Sequence, residues 1–300
     1  MLLSLPNGRR WRVALLAGAA ALAAATLVAG PASATVSTPA HTPAQHASHT
    51  RHVFWMPGHN RHATPGAAAD NLAYGGGPVE HNPQVYLVFW GSQWDSDSNG
   101  VQSYLQNFFG GVGDGSDNWS TIMTQYPDNQ GAPSFGSSVL AGTWVDDGSA
   151  APSNASASDI ASEADNGAAH FGVSGPDVDV FVVSPSGTSP DGFPNSGFCA
   201  WHDWSGTVAY TNMPYVLDAG SSCGADSVQN QLDGFSIVGG HEYAEAVTDP
   251  EPSSGWVASD GEEIGDLCAW QNLTALSLST GSFAVQPLWS NNAGGCATSG

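Results

Sequence analysis

The chain contains no lysine and only five basic residues in 300, and three of these, Arg9, Arg10 and Arg12, fall within its first twelve positions. A protein this poor in positive charge is unsuited to binding nucleic-acid phosphates by counterion release, and an anionic membrane repels it. Cysteine is also scarce. Cys199, Cys223, Cys268 and Cys296 are the four present, and no two are spaced as CxxC, which excludes a zinc ribbon. An even count in an exported chain predicts two disulfides. Of the three possible pairings, the local ones, Cys199–Cys223 and Cys268–Cys296, are preferred. No internal repeat is visible.

Residues 13–29 are almost entirely Ala, Leu, Val and Gly. The three arginines precede it, and Pro31 and the A-x-A triplet Ala32-Ser33-Ala34 follow. That order reads as a signal peptide over 1–34, and the run is short for a membrane span. The expected product is a secreted, extracellular protein with no membrane attachment after cleavage. Losing three arginines takes the formal charge from −22 to −25, because all 27 acids lie beyond the leader. Cationic partners, metal ions among them, are favoured by such a field.

Residues 35–76 are rich in Thr, Pro, Ala, Gly and His without apolar periodicity, which predicts a disordered linker or pro-segment. Six histidines fall there: His41, His46, His49, His52, His59 and His62. A segment of this kind raises the idea of histidines occupying the site of a latent enzyme. The remaining stretch, 77–300, is long enough for one sizeable core. Strands are predicted at 85–90, 138–145, 178–183 and 207–210, and helices at 101–109, 119–126, 158–171 (with Ser158 as N-cap) and 237–247. A hairpin is predicted around Gly281. Alternating strands and helices give an α/β class: one domain, a central mixed sheet flanked by helices, and a disulfide-stapled C-terminal part.

The chemistry concentrates at Gly240-His241-Glu242-Tyr243-Ala244-Glu245, an H-E-x-x-E pattern. Residues four apart share a helix face, so His241 and Glu245 point the same way. In H-E-x-x-H zinc proteases two histidines hold the metal and the glutamate activates water. Here Glu245 takes the second ligand position, as carboxylate oxygen can, and Glu242 is the expected general base. Asp249 continues that face, and Pro250 ends the helix. A further ligand must come from elsewhere, and Glu263, Asp266 and His202 are the candidates.

These blocks carry a resemblance. Residues 76–79 (GGPV), 85–94 (VYLVFWGSQW), Asp179 to Ser184 with Phe198, Cys199 and His202, the α-helical GHEYAE with Thr248-Asp249-Pro250, Trp256, 263–268 (EIGDLC), and 285–289 with Cys296 occur in the order of the EXORDIUM-like (phosphate-induced protein) family. The chain resembles a bacterial member of that secreted family, best known from plant cell walls. The resemblance implies a secreted fold and a shared site around residues 241–268. The family's middle block carries more cysteines than this chain has.

The resulting expectation is a secreted metal-dependent hydrolase, a zinc metallopeptidase acting on a peptide, protein or cell-wall substrate. The alternative is a non-enzymatic extracellular or cell-wall binding or signalling module, in which tryptophans such as Trp94 and Trp204 stack on sugars. Two further motifs compete. Asp95-Ser96-Asp97-Ser98-Asn99-Gly100 opens like a calcium loop with ligands at Asp95, Asp97 and Asn99, but Gln106 stands where a bidentate Glu belongs. Residues 220–224 spell G-x-S-x-G without the strand that a nucleophile elbow needs.

Overall fold

A computed structural model describes residues 51–59 and 71–300, all within the unit Gln45–Gly300. The leader, and residues 35–50 and 60–70 of the segment read as a linker, lie outside the described residues.

Twelve strands and three α-helices are described. They are β1 (His52–Trp55), β2 (Ala73–Tyr74), β3 (Gln84–Trp90), α1 (Val101–Gly111), β4 (Leu140–Asp146), α2 (Ala157–Phe171), β5 (Val178–Val183), β6 (Phe198–Trp204), β7 (Ala209–Met213), α3 (Asp233–Thr248), β8 (Trp256–Val257), β9 (Thr274–Leu278), β10 (Gly281–Val285), β11 (Leu288–Ser290) and β12 (Gly295–Ala297). Six of the strands form one mixed sheet in the order β1-β6-β7-β5-β3-β4. Strands β7, β5, β3 and β4 are parallel, whereas β6 and β1 run antiparallel to their neighbours. The expected α/β class with a mixed central sheet is therefore observed, as are the disulfides Cys199–Cys223 and Cys268–Cys296.

Continuous apolar runs explain the central strands. VYLVFW of β3 and VDVFVV of β5 are buried along their length, because helices cover both faces of the parallel part. One face takes α1 and α3, where Phe109 packs on Phe181 at 4.8 Å. The other takes α2, whose Gly167 lies so close to the sheet that a Cβ would stand 2.6 Å from Val88. Ser156, not Ser158, caps α2: its hydroxyl accepts from Asp159 N–H, and Asp159 answers to the Ser156 N–H, a reciprocal capping box.

Within the central sheet, β1 and β6 depart from the sequence reading. Residues 52–55 belong to an edge strand rather than a disordered segment, and β6 had no counterpart among the predicted strands. Helix α3 is buried on every side, so it shows no amphipathic stripe. It begins four residues before the predicted start. Asp233 closes that end by accepting N–H donors from Val228, Gln229 and Asn230. None of the described helices is long and apolar enough to cross a membrane, and the disulfides agree with an oxidising, extracellular setting.

Candidate metal centre

Helix α3 places His241, Glu242 and Glu245 against the sheet, where β6 presents His202 and β1 presents His52, the two histidines being paired across the strands. The third wall is the turn after β8. Glu263 and Asp266 arrive there on a backbone that Gln286 and Trp289 anchor, through Gly265 C=O and Ile264 C=O respectively. His241, Glu242 and Glu245 of the H-E-x-x-E helix are thus brought to one place with Glu263, Asp266 and His202, the three candidates for the further ligand.

The distances are short. His241 Nε2 lies 2.9 Å from Glu245 Oε1 and 3.6 Å from Asp266 Oδ1. His202 Nδ1 lies 3.2 Å from Glu242 Oε2 and 3.6 Å from Glu245 Oε2, and its Nε2 lies 3.8 Å from Glu263 Oε2. His52 Nδ1 meets Asp266 at 3.1 Å, Glu245 at 3.3 Å and Glu263 at 3.7 Å, and its Nε2 reaches Gly261 C=O at 3.1 Å. Two triads, His52–Glu245–Asp266 and His202–Glu245–Glu263, bring ligand atoms within the span of one ion and share Glu245. The side chains of His202, His241, Glu242, Glu245 and Glu263 are fully buried, and His52, at 16% exposure, stands between them and solvent.

Orientation is enforced by packing. Phe54 of β1 lies flat between His241 (centroids 3.6 Å apart) and Trp270 (4.6 Å), fixing the imidazole plane. The Trp270 indole N–H in turn donates to Trp55 C=O. Gly265 passes so near that a Cβ would stand 2.6 Å from His241 Nδ1 and 2.9 Å from Glu245 Oε1, so the close backbone approach requires glycine. Its neighbour Asp266 donates its N–H to Glu245 Oε1.

The electrostatics are those of a crowded acid nest. Burial pushes Glu242 and Glu263 well above the usual carboxylate range, with the Glu245 charge adding to it, and lifts Asp266 to about 6. Burial would raise Glu245 as well, but His241 and His52 outweigh it and hold it below the ordinary value. Burial lowers His202 to about 4. It also opposes protonation of His52 and His241, yet the carboxylates facing them win and raise both.

Several buried atoms here have no hydrogen-bond partner: His202 Nε2, Glu242 Oε1 and both oxygens of Glu263. Buried charge is ordinarily paired or bound to a metal, and unsatisfied buried acceptors are costly. Mixed imidazole and carboxylate donors suit a zinc-type ion. The residues present therefore fit a divalent metal.

His52 is the site residue that the sequence reading did not place. Its signal was the short apolar run after it, Val53-Phe54-Trp55, within otherwise Pro- and Ala-rich chain. The other motifs lie outside this nest. Asp97 spends its carboxylate on the N–H groups of Gly100 and Gln102, Asn99 donates to Tyr215, and Asp95 is exposed. Asp97 thereby ties this loop to the first turn of α1. Asp249, expected on the metal-facing side of α3, instead accepts from Ser253, Ser254 and Gly255 and folds the turn after the helix. In the G-x-S-x-G segment Cys223 is disulfide-bonded, and the chain runs through a 3-10 turn rather than a strand. Comparison with family models, with curated proteins and with solved structures returned no significant match.

Proposed function

We propose that the α3 nest is a zinc-type metal centre and that the protein is a secreted metal-dependent hydrolase, a metallopeptidase in the sense of the H-E-x-x-H enzymes. The observation that carries the reading is the convergence of His52, His202 and His241 on Glu245, with Glu263 and Asp266 closing the ring and buried acceptors left without partners. His241, Glu245, Asp266, Glu263, His202 and His52 form the pool of ligands. A bound ion of this type supplies Lewis-acid activation of water and of a scissile carbonyl.

The chain's own part falls to Glu242. Its Oε2 is held by His202, which positions the carboxylate, and its Oε1 is buried without a partner. That oxygen takes a proton from the attacking water and returns it to the leaving amine, the ordinary duty of a general base and acid. The likeness to EXORDIUM-like proteins supports secretion and a cell-wall setting for the same site.

A second reading is favoured by the depth of burial. A closed site with several protein ligands is the pattern of a structural metal, and here it would tie β1 and the turn at 261–268 to α3 in a non-enzymatic extracellular module. Elemental analysis of the full-length protein and of Glu245→Ala tests the centre: about one equivalent of zinc, lost in the variant, is expected for a mononuclear site. Glu242→Gln then separates the readings. A hydrolase keeps its metal and loses turnover of a peptide library by roughly 10²–10⁴. A chain with metal but no turnover in wild type belongs to the structural reading, and absence of metal from the wild type overturns both.

A further inference from the structure

The sheet has a second locus of interest, distant in topology from α3's metal-binding residues. From β3 the chain crosses through α1 to β4 on one side, then returns through α2 to β5 on the other side of β3. The two crossovers place their helices on opposite faces, so a crevice opens at the carboxyl ends of β3 and β5. Open α/β sheets bind ligands at such a switch point.

A cleft of about 220 Å³ lies there, walled by Gln93, Trp94 and residues 96–99 after β3, by Pro185 and Ser186 after β5, and by Tyr215 after β7. The nest occupies other ground. The first turn of α3 approaches the carboxyl end of β7, where Phe235 packs on Tyr215 at 5.3 Å, while Val247 in its last turn accepts from Glu80, ahead of the amino end of β3.

We infer that this cleft is a binding site for a single neutral sugar ring. No basic side chain lines it, so an anion would be buried without a counter-charge. The acid in its lining, Asp97, has each oxygen held by a backbone N–H group and keeps further lone pairs for hydroxyl donors. What remains is uncharged hydroxyl and amide chemistry above an aromatic floor. Trp94 and Tyr215, 3% and 6% exposed, form the floor with ring centres 5.9 Å apart. Tyr215 accepts from the Asn99 amide at 2.7 Å, which leaves its own proton to donate. The exposed side chains of Ser96, Ser98, Asn99 and Ser186 stand at the rim. Convergent, well-placed polar groups are what fix the orientation of a small ligand in a pocket. The volume is below the roughly 300 Å³ at which pockets for drug-sized ligands begin, which limits the occupant to one ring.

Saturation-transfer NMR and calorimetry on the full-length protein, with the methyl glycosides of glucose, galactose, mannose and N-acetylglucosamine as probes, test the inference. At least one probe should bind saturably with one site per chain. Tyr215→Phe, which keeps the aromatic packing, should weaken that binding about fivefold, the worth of one neutral hydrogen bond. Ser98→Trp, a rim replacement at an exposed position, should abolish it, with the melting temperature of both variants showing that the fold is kept. Glu242→Gln should leave it intact. Failure of all four probes to saturate, or binding indifferent to both cleft variants, overturns the inference. Binding lost in Glu242→Gln but not in Ser98→Trp overturns it too, by moving the sugar to the α3 nest.

Discussion

Two acidic stretches of this chain read alike as metal motifs, and the structure treats them in opposite ways. In the loop 95–100 the carboxylate of Asp97 is answered by two backbone N–H groups at the start of α1. In the nest around α3, Glu263 of the turn after β8 has no donor for either oxygen, and Glu242 none for Oε1. Both patterns offer carboxylates at ligand-like spacing. The difference is the supply of nearby backbone amides: a loop entering a helix has orphan N–H groups to spend on a carboxylate, whereas mid-helix Glu242 and Glu245 find none in their own helix, and the backbone N–H that reaches Glu245 comes from Asp266 in the turn after β8. An acid in the body of a buried helix must therefore find its partners outside its own helix, and here the α3 acids meet three histidines.

The sharpest way to break the contrast is to remove metal. A ligand present at about a thousand times its dissociation constant stabilises the folded state by about 4 kcal/mol. For a domain of this size each kcal/mol corresponds to roughly 2–4 °C. Chelation of the wild type should therefore lower the melting temperature by about 10 °C, as scanning calorimetry would show. The same chelator should do nothing further to Glu245→Ala. An unchanged wild-type melt would place the two stretches in one class after all.

Next in size is Gly265→Ala. Its Cβ would stand 2.6 Å from His241 Nδ1 and 2.9 Å from Glu245 Oε1, and neither side chain has room to retreat. We expect a loss of about 1–3 kcal/mol from overpacking and a fall in metal affinity of roughly 10–100-fold, as when a ligand loses its supporting contacts. Competition with a chromogenic chelator measures the second. An Ala variant of wild-type affinity would show that the turn does not set the geometry.

The sequence made the middle of the molecule legible and left its edge obscure. β3 and β5 announced themselves because buried parallel strands are continuous apolar runs, and GHEYAE announced α3's chemistry by its i, i+4 spacing. β1 stayed hidden because four residues are too few for a period, and because its burial is supplied by distant partners: Phe54 is enclosed by His241 and Trp270. β6, FCAWHDW, lacks the β-branched residues that mark a strand, although its alternation sets Phe198, Ala200 and His202 on one face. The ligand set could be narrowed to Glu263, Asp266 and His202 but not resolved, because nothing local in a sequence says which loops return to a helix. His52 was unreachable for the same reason.

A smaller test concerns Asp179, buried on the α3-facing side of the sheet and pushed up to about 8 by burial, with the Thr211 hydroxyl opposing. Unfolded, the carboxyl ionises near its ordinary value of about 3.9. Between that pH and about 8 the folded state holds a proton that the unfolded state has released, so stability falls as pH rises through this window. Glu80, raised well above its usual value by burial and then by the charge of Asp179, acts in the same direction. Asp179→Asn has no proton to hold. It should be more stable than wild type by about 1–3 kcal/mol at pH 8, the gain seen when buried ionisable groups are replaced, and about equal to it at pH 4. Denaturant melts at the two pH values decide. A variant less stable than wild type at pH 8 would mean that an ionised Asp179 has a partner it needs.

The smallest effect completes the comparison from the other side. Asp97→Ala removes the carboxylate that accepts from Gly100 and Gln102, leaving two N–H groups at the start of α1 to water. The cost should be that of a lost helix cap, about 1 kcal/mol, or roughly 2–4 °C in melting temperature. The metal content and the response to chelation should stay those of wild type, because the side chain already has its partners in the backbone. A fall in bound metal on making Asp97→Ala would show that backbone amides and a cation can compete for one carboxylate, and would remove the distinction drawn between the loop and the helix.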